Sequence, residues 1–206
     1  TVADVERQQL STLRLMVFTD GVSEALNSND TETLGRLLRP VVSNAGADEM
    51  IVFDAHGQGV LHLVRGSGSS LEYTSLSPPD VSDWESVNRV LETEIDDFGD
   101  KYVTITDSVT GPLFFITAPV KDGDSNVIGG IALGMRLQHL VELVSGQSLS
   151  SVVIHDDGGT VLGSTFRNVP HASLALTPAQ VTEFVDYTVE SSPIVDLEFD
   201  NTPYQI

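Results

Sequence analysis

The side chains best suited to chemistry in this sequence are its histidines and carboxylates. The histidines are dispersed along the chain, at His56, His62, His139, His155 and His171. None of them has the spacing of a helical zinc motif, and the sequence contains no nucleophile elbow and no phosphate-binding loop. The chain has no cysteine, which excludes zinc-thiolate sites and thiol nucleophiles. We therefore predict no catalytic residue, no metal ligand and no cofactor, and hence that the chain is not an enzyme.

One acidic segment imitates the start of a calcium-binding loop. Asp122, Asp124 and Asn126 alternate as the first oxygen ligands of such a loop do. Val127 stands where the loop needs glycine, however, and Leu133 stands where it needs its terminal Glu. A solvated hairpin turn is the favoured interpretation, and a calcium site is the lesser alternative.

The overall charge limits the possible partners. The chain of 206 residues carries 30 Asp and Glu but only 10 Lys and Arg, a formal net charge of −20. Because affinity for phosphate backbones depends on clustered cations, we expect no nucleic-acid partner. The acidic residues are scattered, which indicates a strongly solvated anionic surface. No apolar run is long enough for a membrane span, so any membrane anchors are expected outside this chain.

Helices are predicted at the beginning of the chain. Apolar residues recur at spacings of three to five over residues 3–26, which predicts one long amphipathic helix. Asn29 or Asp30 can cap a second helix. Pro40 is expected to perturb that helix before Gly46 ends it.

Strands and one further helix follow. Residues 51–64 form a predicted hairpin, and the Gly-, Ser- and Pro-rich residues 65–80 are predicted as loop. Asp80 or Ser82 can then cap a helix that runs to Ile95. With the hairpin, three more strands complete a five-stranded antiparallel sheet, at residues 101–107, 112–120 and 126–137. A short helix at residues 138–144 leads to the polar linker 145–150.

An internal repeat is the most informative pattern. The segment VVIHDDGGTVL at residues 152–162 copies IVFDAHGQGVL at residues 51–61, with Gly158 matching Gly57. A second helical excursion from Thr177 or Pro178 follows, and then a strand-turn-strand pattern that stops at Ile206. The second copy therefore lacks about two strands of the first.

The order of these motifs resembles the double Cache family of sensors. The long helix, the hairpin, the helical excursion, the segment TDSVTGPLFFITAPV and the strand VIGGIALGMRL carry the resemblance, which covers essentially the whole chain. It implies an α+β fold in which a long N-terminal helix precedes tandem PAS-like modules with antiparallel five-stranded sheets, the second module incomplete. The implied domains are signalling and dimerisation helices at 1–45, a membrane-distal module at 46–146 and a partial membrane-proximal module at 147–206.

The resemblance also implies a ligand site in the membrane-distal module, between the sheet and the excursion. The aromatic and polar side chains that fit it are Tyr73, Trp84, Tyr102, Asp107 and Thr117. Trp84 is the single tryptophan, and it could close over a ligand or simply pack its helix on the sheet. Asp107 could meet a ligand amine, although bonding to the backbone of its own turn is the stronger interpretation.

Two departures from the family pattern bear on the ligand. Amino-acid-binding members carry an Arg two residues before the Trp, where this chain has Ser82, and the Tyr expected slightly earlier is also missing. An amino-acid ligand is therefore not expected. Arg136, in place of a late Asp, could instead bind an anion such as a small carboxylate, or serve as an ion-pair partner at the surface.

These patterns predict the extracytoplasmic sensor of a transmembrane receptor that binds a small molecule and signals to a kinase, cyclase or chemotaxis module. The resemblance implies membrane helices flanking the chain, and a homodimer through the N-terminal helix is expected. The alternative is a structural or protein-interaction module without a ligand, which would fill its cavity with aromatic side chains and expose an apolar patch elsewhere.

Overall fold

The computed structural model describes residues 2–66, 72–95, 99–184, 196–199 and 202–205. The chain divides into two compact units, Val2–Arg136 and Leu137–Ile206. Within the described part of the chain, no helix is both long and apolar enough to cross a membrane.

Three helices begin the first unit: α1 (Val2–Val17), α2 (Val22–Asn27) and α3 (Thr31–Ala45). The single helix predicted over residues 3–26 is wrong, because Gly21 adopts a left-handed φ of 90° and separates α1 from α2. Asp30 caps α3 as predicted and accepts a hydrogen bond from Thr33 N at 3.0 Å. Gly46 ends α3 with a φ of 65°, and the helix continues through Pro40 without interruption.

A six-stranded antiparallel sheet forms the centre of this unit. Its strands are β1 (Glu49–Asp54), β2 (Gly59–Arg65), β3 (Tyr73–Leu76), β4 (Tyr102–Ser108), β5 (Gly111–Lys121) and β6 (Val127–Arg136), in the order β3-β2-β1-β6-β5-β4. The prediction of five strands missed β3, which lies in the segment predicted as loop. The four residues of β3 do not alternate between buried and exposed positions, since Tyr73 alone is buried. A strand of this kind lacks the alternating pattern by which a sequence predicts strands.

Helices cover both faces of the sheet. On one face, which we call the helical face, α1, α2 and α3 pack with buried side chains such as Leu13, Met16 and Leu38. The other face is covered by α4 (Glu85–Leu91), and we call it the α4 face. The predicted helix over residues 80–95 is thus shorter than expected, because Asp80 accepts a hydrogen bond from Ser82 N in a preceding turn and Thr93 adopts a φ of 58°.

One turn occurs three times in the described part of the chain. Asp54, Asp122 and Asp156 each accept hydrogen bonds through Oδ1 from the backbone N–H groups two and four residues later. At Asp122 this arrangement confirms the hairpin-turn interpretation. The repeat match needs a correction of one residue: Gly159, with a φ of 84°, occupies the position of Gly57, with a φ of 76°, because each lies three residues after its turn aspartate.

The described residues of the second unit form α5 (Leu137–Ser148), α6 (His171–Leu174), α7 (Pro178–Phe184) and four short strands. The strands form two antiparallel pairs, β7 (Val153–His155) with β8 (Val161–Ser164) and β9 (Asp196–Phe199) with β10 (Thr202–Gln205). The segment predicted as a linker at 145–150 lies largely in α5, which continues to Ser148.

The same contact follows the repeated turn in each unit. Val81 N donates to the carbonyl of Gly57 at 3.0 Å in the first unit, and Leu176 N donates to the carbonyl of Gly159 at 2.9 Å in the second. The chain leaving each hairpin therefore returns to dock on the hairpin's own turn.

Candidate ligand-binding face

The register of the sheet decides which side chains share the α4 face, because residues directly opposite in antiparallel strands point to the same side. One row across the sheet consists of Ile51, Ala132, Thr117 and Tyr102. The next row consists of Glu49, Gly134, Phe115 and Thr104. The α4 face thus combines apolar side chains with polar ones from β1, β5 and the edge strand β4.

Trp84 lies immediately before α4 and packs against the apolar centre of this face. Its ring centroid is 4.9 Å from that of Phe115, with the planes tilted by 50°. A Cβ at Gly134 would come within 2.5 Å of the Phe115 ring, so the missing side chain at this position makes room for Phe115. The two rings join a buried cluster that includes Ile51 and Phe53.

Tyr102 and Thr117 tie α4 to the sheet by polar contacts. The Tyr102 hydroxyl donates to the carbonyl of Glu94 at 2.7 Å, and the Arg89 guanidinium lies 3.9 Å from the centre of the Tyr102 ring. The fully buried Thr117 hydroxyl donates to Ser86 Oγ at 3.2 Å. Of the predicted site residues, Trp84, Tyr102 and Thr117 are therefore brought together.

A buried polar cluster extends across the same face. Glu49 Oε1 lies 2.8 Å from His62 Nε2, and these side chains are 1% and 4% exposed. Ser108 Oγ donates to the other oxygen of Glu49 at 2.5 Å. His62 Nδ1 lies 3.3 Å from the carbonyl oxygen of Ser77. We call Glu49, His62 and Ser108 the polar relay, because they connect β1, β2 and β4.

The other predicted site residues lie apart from this group. Tyr73 opposes Arg65 and therefore points to the helical face, where its hydroxyl lies 3.1 Å from the carbonyl oxygen of Val42. Burial raises the pKa of the Tyr73 phenol. Asp107 is exposed on the edge strand β4.

Arg136 is engaged within the protein. Its Nε and Nη2 lie 3.0 and 2.7 Å from Oδ1 of Asp48, which is 2% exposed, and its backbone N–H donates to Oδ2 at 2.9 Å. The guanidinium neutralises a buried carboxylate, as the ion-pair interpretation of Arg136 expected, and this carboxylate is buried rather than at the surface.

The polar relay was missed by sequence reasoning. The sequence did carry a signal, since a histidine lies inside the apolar segment LHLV and a glutamate lies directly before the apolar segment MIVF. Such residues are rarely buried unless they are paired. Among the residues that the structure describes, no group of three histidine or acidic side chains could hold a metal ion.

Comparison with known families explains this architecture. The model of the family dCache_3, described as a double sensory domain of two-component sensor kinases, matches residues 2–206. The chain belongs to this family. It is therefore a sensory domain of a signal-transduction receptor, as the motif order predicted. No curated protein sequence matches the chain.

Solved structures share the dCache fold at low sequence identity. The ligand-binding domain of Campylobacter jejuni chemoreceptor Tlp3, in complex with 4-methylisoleucine, is 13% identical, with 98% of this chain and 77% of that one covered at a TM-score of 0.64. The extracellular domain of vpHK1S-Z8, described as a histidine kinase, is 12% identical, with coverages of 98% and 83% and a TM-score of 0.65. The Escherichia coli DcuS sensor domain is 12% identical, with coverages of 70% and 97% and a TM-score of 0.54.

Proposed function

We propose that this chain is the extracytoplasmic, small-molecule-sensing part of a membrane-anchored receptor, and that its ligand binds on the α4 face. In this organisation residues 1–45 form the signalling and dimerisation segment, residues 46–146 the membrane-distal module and residues 147–206 part of a membrane-proximal module. The turn contact repeated at Gly57 and Gly159 supports a tandem arrangement.

The observation that carries the proposal is the polar relay. A buried Glu-His pair adds little to stability compared with an apolar pair of similar volume, because desolvation offsets the attraction. A buried polar group that stability alone does not favour is therefore a candidate for a functional site. Glu49 and His62 lie on the same sheet face as Thr117 and Phe115.

The chemistry of the α4 face favours a ligand that donates hydrogen bonds. Glu49 supplies a carboxylate whose two oxygens now bind His62 and Ser108, and a donating ligand would take the place of one of these partners. The guanidinium of Arg136 is bound to Asp48, away from this group. A ligand would enter by displacing Trp84 from Phe115, so that α4 moves away from the sheet. Such a movement shifts the population of α4 positions, which is the usual means by which a sensor transmits binding. The Tlp3 domain of the same fold is in complex with 4-methylisoleucine.

A thermal-shift screen against a library of small amines, amides and alcohols tests this proposal. We expect at least one compound to raise the melting temperature in a concentration-dependent manner. Thr117→Val removes a hydroxyl from the α4 face and should reduce that shift, whereas Asp107→Asn, at an exposed position, should leave it unchanged. Equal shifts in both variants would place the binding site elsewhere.

A structural module without a ligand is the alternative, and one observation favours it. Trp84, Phe115 and Phe53 fill the centre of the α4 face with aromatic side chains. For such a module, the screen should give no stabilising compound, and Thr117→Val should change only the melting temperature of the protein alone.

A further inference from the structure

A groove on the helical side of the first unit has the size of a ligand site. It has a volume of about 610 Å³ and lies between α3 and the strands β2 and β3. Small-molecule sites commonly occupy about 300–1,000 Å³. Its lining includes Gly35, Arg36, Arg39, Pro40 and Leu61. None of them belongs to the α4 face.

Two arginines one turn apart line this groove without a carboxylate partner. In a chain with three times as many acidic as basic residues, cations are expected to be paired, as Arg136 is with Asp48. Within the described residues, Arg36 makes no hydrogen bond or ion pair. The guanidinium of Arg39 donates to the carbonyl oxygen of Tyr73, which carries no formal charge.

Two acidic residues lie near the groove, and neither forms an ion pair with Arg36 or Arg39. Asp30 caps α3, and its pKa is lowered first by hydrogen bonds with Thr33 and least by the charge of Arg36. Glu32 also lines the groove but is exposed in the first turn of α3. The arginines therefore keep donors available for an incoming anion.

Gly35 keeps the groove open. The residue itself is buried, yet a Cβ added at this position would meet no atom within 4 Å. Nothing in the packing requires glycine here, although glycine inside a helix costs about 0.5–1 kcal/mol relative to alanine. A larger side chain at position 35 would instead occupy the space beside Arg36 and Arg39.

We propose that this groove binds a small organic carboxylate. The carboxylate group of the ligand lies between Arg36 and Arg39, whose planar guanidinium groups match carboxylates by paired hydrogen bonds. Its aliphatic part packs against Leu61 and Pro40. The site is separate from the ligand site on the α4 face, and its existence does not depend on that proposal.

Calorimetric titration at low ionic strength tests the carboxylate site, with succinate as the probe and the uncharged succinamide as its matched ligand control. We expect succinate, but not succinamide, to bind the wild-type chain. Arg36→Gln should weaken binding about tenfold or more, since it removes charge-assisted hydrogen bonds. Gly35→Leu should abolish binding by filling the groove. Arg167→Gln makes the same charge change at an exposed position of the second unit and should bind succinate normally.

Three results would overturn the proposal. The first is that succinate gives no heat of binding with the wild-type chain. The second is that Arg36→Gln binds succinate as tightly as the wild type does. The third is that inorganic phosphate or succinamide binds as tightly as succinate. Trp84 emission separates the two sites, because succinate in the groove should leave it unchanged. A change in emission with succinate would assign the ligand to the α4 face instead. Arg36→Gln disturbs no contact described in the fold, so its outcome is informative even if Gly35→Leu fails to fold.

Discussion

At the scale of single residues, the polar relay is the feature that sequence reasoning could least have found. Glu49 and His62 are separated by 13 residues in the chain and meet only because β1 and β2 pair in one particular register. A shift of that register by one residue would place them on opposite faces. Their types were visible in the sequence, whereas their contact depended on tertiary structure.

The relay gives the first prediction. Glu49→Gln replaces a buried carboxylate, which binds His62 and Ser108, by a neutral amide, and the loss of a hydrogen bond to a charged group typically costs about 1.5–3 kcal/mol. We expect urea denaturation to show a loss of unfolding free energy of about that size. Glu92→Gln makes the same change at an exposed position and should cost less than about 0.5 kcal/mol. Similar losses of unfolding free energy in the two variants would show that the contact between Glu49 and His62 does not stabilise the fold.

Tyr73 gives a prediction about alkaline pH. Burial raises the pKa of its phenol, and a neighbouring Arg65 only partly opposes this. Because the folded-state pKa lies above the unfolded value of about 10, this residue's contribution to stability is complete below pH 10 and is lost as the pH rises through the folded-state pKa. The phenolate could not donate to the carbonyl oxygens of Val42 and Ala47.

The control for this effect is Tyr73→Phe, which keeps the ring and removes the ionisable group. We expect the difference in unfolding free energy between wild type and Tyr73→Phe to shrink as the pH rises from 8 to 11. A difference that stays constant over this range would contradict a buried, hydrogen-bonded phenol.

At the scale of elements, the sequence was most reliable where a local signal defines the backbone. The hairpin at residues 51–64 and the long strands β5 and β6 follow from turn residues and apolar runs. The cap at Asp30 was also correct, because capping is a local hydrogen bond. The missed strand β3 depends on pairing with β2, and its own residues carry no pattern.

The docking of the excursion on the first hairpin gives a prediction at this scale. A Cβ at Gly57 would lie 2.6 Å from the Cα of Ser82, and Gly57 also has a φ of 76°. Gly57→Ala should therefore destabilise the chain by more than about 1 kcal/mol. Gly46→Ala is the matched control, since Gly46 has a φ of 65° but open space around it. Thermal unfolding of both variants separates the clash from the backbone strain, and equal losses would contradict the clash.

At the scale of the whole molecule, the structure changes the surface through which we expect the homodimer to form. Leu13, part of the apolar stripe of the N-terminal helix, is fully buried against its own module, whereas Leu15 and Phe18 are 60% and 81% exposed. Val103 and Ile105 on β4 are each 46% exposed. A contiguous exposed apolar patch is typical of an association surface, and we expect these side chains to contribute to one.

The dimer prediction uses the most exposed of these side chains. Phe18→Ser should shift sedimentation of the chain from dimer towards monomer with little effect on the melting temperature, since Phe18 contributes little to the core. Val109→Ser, at a position 71% exposed beyond the end of β4, is the matched control and should sediment as the wild type does. A monomeric wild type at high concentration would contradict dimerisation through this chain alone.

Binding of a small molecule on the α4 face should be visible in the fluorescence emission of Trp84. Trp84 is the only tryptophan in the chain, and its ring rests on Phe115 at the centre of that face. Titration with the most stabilising compound of the thermal screen should change the fluorescence emission of Trp84. The change should saturate, over the same concentration range in which the compound raises the melting temperature. Emission that stays constant while the compound stabilises the protein would contradict binding between α4 and the sheet.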